Sequence, residues 1–174
     1  MNKYFLLLVF FNCVVLKAQL IDSTESKVEF KVKKHKRKTV SGTFTGMSGE
    51  INFMATDLTN SSFDVCIDAS TVKTDNNLRD RHLRNKKEYL NVEKFPTICF
   101  KSFSISKTKD GYETTGNLTL HGVTLEITIP FTYVNNTFVS NFELLRYAFG
   151  IGKEGGNMIS KEVDVTITCV EKIK

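Results

Sequence analysis

The chain of 174 residues has no tryptophan, only two prolines, only three histidines, and four cysteines. No apolar run reaches the roughly 20 residues a membrane-spanning helix needs; the longest, Tyr4 to Leu16, is too short. None of the histidines, His35, His82 and His121, stands in an HExxH pattern, no GxSxG is present, and no two cysteines are spaced CxxC. Metalloprotease, serine-hydrolase and zinc-ribbon chemistry therefore have no sequence support, and neither a catalytic residue, a metal site nor a cofactor is expected. The glycine-rich stretch Gly150 to Gly156 follows no parallel β-α unit, so it does not read as a phosphate loop.

Charge excludes a further class. The net charge is +5, and Met1 to Ala18 carries two lysines and no acid, which leaves +3 on the remainder. That is too mild for a nucleic-acid binder, and the local run Lys33, Lys34, Lys36, Arg37, Lys38 reads as a solvated hairpin tip. Met1 to Ala18 itself has a basic start, an apolar centre and a small last residue, the pattern of a secretory signal peptide. It predicts a periplasmic or secreted protein whose single folded domain is residues 19–174. Beyond it lie Cys66, Cys99 and Cys169, an odd number that encodes neither a disulfide framework nor a zinc site. A bridge between Cys66 and Cys99 stays open, because spacing alone does not give their Cβ separation.

What the sequence has in quantity is two-residue alternation. Val28, Phe30 and Val32 alternate with Glu29, Lys31 and Lys33; Phe63, Val65 and Ile67 alternate with Asp64, Cys66 and Asp68. The rhythm returns in Ile98 and Phe100, in Leu118 and Leu120, in Leu125 to Tyr133, and in Val163 to Cys169. Phe103 and Ile105 break phase, which predicts a bulge, and Asp110-Gly111, His121-Gly122 and Asn135-Asn136 mark turns. A sheet with one apolar face must pack on another or close on itself, and the pattern favours an all-β, eight-stranded antiparallel barrel. The one interruption is Thr71 to Phe100, a charged insert with a short helix over Asn76 to Asn85, capped by Thr74 or Asp75, that reads as a lid. Pro96 forces Phe95 to be extended and restarts the strand pattern. Alternation alone gives equal weight to a filled core and a barrel that encloses a ligand.

Four segments together resemble the YceI-like family of exported, lipocalin-like barrels that bind polyisoprenoid and related lipids. They are VSGTFTGMSGEINF (Val40 to Phe53), the insert with LRDRHLR and YLNVEKFPTICFKS, GNLTLHGV (Gly116 to Val123), and FGIGKEGG with the closing KEVDVTITCVEKIK. The resemblance implies a tunnel along the barrel axis holding a long-chain lipid, isoprenoid or fatty-acyl. By position its lining would be Phe30, Phe44, Phe53, Phe63, Val65, Ile67 and Leu83, with Phe100, Leu118, Leu120, Ile129, Phe131 and Phe142. Arg79, His82 and Arg84 are the candidate head-group contacts, against a structural role in ion pairs and capping. The function so implied is a lipid carrier; the alternatives are a hydrolase or isomerase acting on a similar lipid, or an interaction protein with a filled core. Whether the chain forms a homodimer is left open by the sequence.

Overall fold

In the computed structural model the described residues are 19–34, 38–152 and 159–172. The signal-peptide segment, the hairpin-tip residues His35, Lys36 and Arg37, the 153–158 part of the glycine-rich loop, and Ile173 and Lys174 lie outside them.

Alternating residues produce alternating strands. β1 (Lys27–Lys34), β2 (Lys38–Phe44), β3 (Ser48–Asn52) and β4 (Ser62–Asp68) precede the insert; β5 (Thr97–Lys107), β6 (Tyr112–Leu120), β7 (Val123–Val134), β8 (Thr137–Leu145) and β9 (Glu162–Val170) follow it. All pairings are antiparallel, in the order β2-β1-β9-β8-β7-β6-β5-β4-β3. The two-residue turns expected at His121-Gly122 and Asn135-Asn136 have positive φ at both positions, the geometry that matches the twist of the flanking strands. The bulge falls between Ser102 and Ser104, and the extra residue, Phe103, is turned out to solvent while Ile105 returns to the interior.

The sheet has nine strands where eight were expected, and the difference lies at Thr45 to Met47. Along an antiparallel order of nine, the two end strands β2 and β3 run in the same direction, and only three residues separate them. Gly46, at φ +73°, supplies the bend. From Phe44 to Ser48 the chain can span at most about 14 Å, so the ends of the sheet are held close and β2 and β3 act as one kinked strand. Short bridges tie the seam: Gln19 pairs with Ile51 and Ile21 with Glu171 at one end, and Thr43 pairs with Lys73 at the other. The apolar faces of all nine strands turn inward to one core.

Candidate functional site

The insert forms a short turn over Ala69–Thr71, then α1 (Asn77–Asn85), then turns that lead to Pro96. The helix cap is Asn76, whose side chain accepts from the Arg79 N–H at 2.9 Å, rather than Thr74 or Asp75. Thr74 is engaged elsewhere. Its N–H and hydroxyl both donate to the carboxylate of Asp80, and both residues are buried. Further on, Leu90 N–H donates to Leu83 O and Val92 N–H to Arg84 O, folding the post-helical segment back on α1. His121 fixes the insert from the other side, its ring nitrogens lying 3.0 Å from Lys87 O and 3.2 Å from Phe149 O. Gly122 lets the Phe95 ring press against the same turn, since a Cβ there would run into that ring.

Between this insert and the sheet lies an apolar cavity of about 450 Å³. Its walls contain Phe30, Phe44, Val65 and Ile67, with Phe100, Leu118, Leu120, Ile129 and Phe142, and Leu83 with Leu90 reaches it from the insert. Phe63 and Phe131 also line it, joined by Phe138 in a cluster whose ring centroids lie 5.4 to 5.9 Å apart. Phe53, expected in the lining, is displaced from it. It sits behind those rings, packed edge-on against Tyr112, Phe131, Tyr133 and Phe138. This second layer packs directly behind the lining rings. Ile51, inside β3, still lines the cavity, whereas Phe53 lies one residue past the end of that strand and packs into the aromatic layer instead.

Arg79 and His82 line the cavity, and Arg84 does not. The sequence marks all three as candidate head-group contacts. Arg84 donates to Val72 O at 3.1 Å and therefore staples α1 to the preceding turn. Arg79 donates from Nε and Nη2 to the hydroxyl and carbonyl of Thr74, each at 2.7 Å, which fixes its guanidinium at the rim. A further cation, Arg146, was not legible. It is buried at the end of β8 and lines the cavity, donating to the carbonyls of Ser160 (2.7 Å), Ile151 (2.9 Å) and Ile159 (3.1 Å), and to the Tyr147 hydroxyl (2.9 Å). These partners are all neutral oxygens, which replace the water around the guanidinium. The only sequence signal was an arginine at a strand end, which reads as surface.

Burial shapes three titrating groups beside the aromatic layer. It pushes the Cys169 thiol up to about 11, and it pushes Tyr133 up to about 12, helped by the hydrogen bond from Tyr133 to Glu171 at 3.0 Å. Glu171 is likewise raised by burial, with the Tyr133 hydroxyl acting against the rise. Cys66 and Cys99 stand opposite each other on β4 and β5 and form a disulfide, settling the pairing the sequence left open. Among the described residues no group of three or more His, Cys, Asp or Glu side chains is placed to hold a metal ion, and no helix is long and apolar enough to cross a membrane.

An antiparallel β-barrel with an apolar cavity under an inserted helix is wide enough to hold one small ligand. The chain belongs to the YceI-like domain family, whose model matches residues 20–170. A UPF0312 protein of Yersinia enterocolitica is 37% identical over 102 residues, a match that covers 59% of this chain and 53% of that relative. The match thus spans about half the length of that relative. Burkholderia cenocepacia BcnA superposes with a TM-score of 0.80 at 23% identity, over 87% of this chain and 99% of the other. A polyisoprenoid-binding domain from Saccharophagus degradans superposes with a TM-score of 0.66 at 16% identity, over 90% and 99% of the two chains. At those identities the likeness establishes a shared fold.

Proposed function

We propose that the protein is an exported carrier that sequesters a polyisoprenoid or other long-chain amphiphile, with the chain in the pocket and the polar head at the rim beside Arg79 and His82. The observation that carries the reading is the pocket itself: apolar on its walls, backed by a second layer of aromatic rings, and bordered by Arg79 and His82 on the insert. Its volume lies within the range of small-molecule sites. Removing about 400 Å² of apolar ligand surface from water is worth about 10 kcal/mol, enough for firm binding after association costs of several kcal/mol. The described polyisoprenoid-binding neighbour supports this ligand class. Export is supported by the pattern of Met1 to Ala18 and by the Cys66–Cys99 disulfide, a bond that persists in oxidising compartments.

Titration of delipidated protein with a fluorescent polyprenyl alcohol tests the reading. One saturable site per chain is expected, with the probe recovered chemically unchanged. Val65→Trp, which fills the pocket, should keep the strand signature in circular dichroism and lose the probe. Absence of saturable binding to the wild-type protein, undiminished binding to a folded Val65→Trp, or turnover of a polyprenyl ester would overturn it.

A further inference from the structure

Among the described residues that line the pocket, one buried polar side chain is not used by the fold. Ser140 is 5% exposed and lines the pocket, yet among the described residues its Oγ has no hydrogen-bond partner. Its surroundings are apolar: Phe138 and Phe142 flank it on the same face of β8, Ile167 stands opposite on β9, and the Thr132–Val139 pairing places Phe131 beside it on β7. Another hydroxyl in the lining, that of Thr114 on β6, already donates to Ser104 O at 3.0 Å. The rim cations Arg79 and Arg146 are committed to carbonyls of the insert and of the β8–β9 connection.

A buried hydroxyl without a partner costs about 1–3 kcal/mol, and alanine would fill this position without that cost. A trapped water does not remove the problem. Water is held in a protein interior by two to four polar partners, and here Ser140 Oγ would supply one against phenylalanine and isoleucine walls. The partner that fits is one that arrives with its own apolar body and is held there by it. It must be neutral, because none of the lining groups on the floor, Phe63, Phe131, Phe138, Ser140 and Cys169, offers a cation to offset a buried carboxylate or phosphate.

Resting on the carrier reading above, we infer that Ser140 is a specificity site for the buried end of the ligand, which bears a neutral hydrogen-bonding oxygen, a hydroxyl or carbonyl, rather than ending in plain hydrocarbon. The pocket thereby selects amphiphiles oxygenated at both ends, or oxygenated at the end that enters first. Ser140 donates to a carbonyl or exchanges a hydrogen bond with a hydroxyl, and the aromatic floor fixes the depth at which that oxygen must lie.

The test compares fatty acids of graded length with their ω-hydroxy derivatives, on wild-type protein and on Ser140→Ala. At the chain length that reaches the floor, the wild-type protein should hold the ω-hydroxy acid at least as tightly as the plain acid. In Ser140→Ala the ratio of the two affinities should shift about tenfold toward the plain acid, the loss of one hydrogen bond of roughly 1.4 kcal/mol. The empty variant should be as stable as the wild type or more so in urea, because the unpaired hydroxyl is gone. An unchanged ratio, or a clearly less stable empty variant, overturns the inference while leaving the carrier reading in place. Failure of the wild-type protein to bind either acid or polyprenyl alcohols at any length overturns both.

Discussion

Asp80 is the buried carboxylate on which the lid depends, and its removal has a magnitude that follows from its contacts. It is 4% exposed, and its Oδ1 accepts the Thr74 N–H at 2.9 Å together with the Thr74 hydroxyl. Thr74 in turn receives both donors of Arg79, and the adjacent Lys73 pairs with Thr43 on β2. One carboxylate therefore joins the sheet, the turn and α1. Asp80→Ala loses charge-assisted hydrogen bonds and strands a buried N–H, for a total of about 3–4 kcal/mol. Asp80→Asn keeps an acceptor at the same place but without charge, and should cost about 1–2 kcal/mol. With a urea slope of about 2 kcal/mol/M, Asp80→Ala lowers the unfolding midpoint by roughly 1.5–2 M. Hydrogen exchange should show the loss concentrated in residues 74–95. A midpoint within about 0.3 M of wild type, or equal costs for the two variants, would refute the claim that this contact holds the insert down.

Other consequences follow from the same contacts. Because burial raises Cys169 from 9.0 to about 11, the folded state holds that proton more tightly than the unfolded chain does; its stabilisation is complete below about pH 9 and is lost as pH rises to about 11. The loss is roughly 3 kcal/mol, and Cys169→Ala should flatten that part of the stability profile measured by urea titration. Reducing Cys66–Cys99, whose cysteines are 33 residues apart and whose loop contains α1 and the turns that follow it, should cost roughly 3–4 kcal/mol by loop-closure entropy, read as a lower thermal midpoint in a reductant. Gly122→Ala combines a residue at φ +77° with a Cβ against the Phe95 ring, so it should destabilise by about 1–3 kcal/mol and loosen the insert at Phe95 in hydrogen exchange.

Strand alternation made the sheet readable because each inward residue is followed by an outward one, and a buried face enforces that register. The insert was readable for the opposite reason, as a charged stretch with helical spacing. The bend at Gly46 was visible only as a cluster of glycines; that it converts one strand into β2 and β3 depends on which edges meet, a non-local fact. Phe53 shows the same limit, since its parity marks it as inward but does not say whether inward means the pocket or the layer behind it. Asn76 displaced Thr74 as the cap because Thr74 is held by Asp80, a contact between residues that no capping preference encodes. Arg146 and Ser140 escaped notice because a polar residue in or just after a strand reads as solvent-facing until the neighbouring strands are in place. The Cys66–Cys99 pair needed the β4–β5 register, which sets the two residues face to face.

The measurement that bears most directly on the carrier reading is lipid extraction, followed by mass spectrometry, on the full chain purified from cells without detergent. The account predicts an intact long-chain amphiphile at close to one molecule per protein, displaced when the pocket is filled by Val65→Trp. A folded protein that comes out empty and takes up no polyprenyl alcohol or fatty acid on incubation would contradict it.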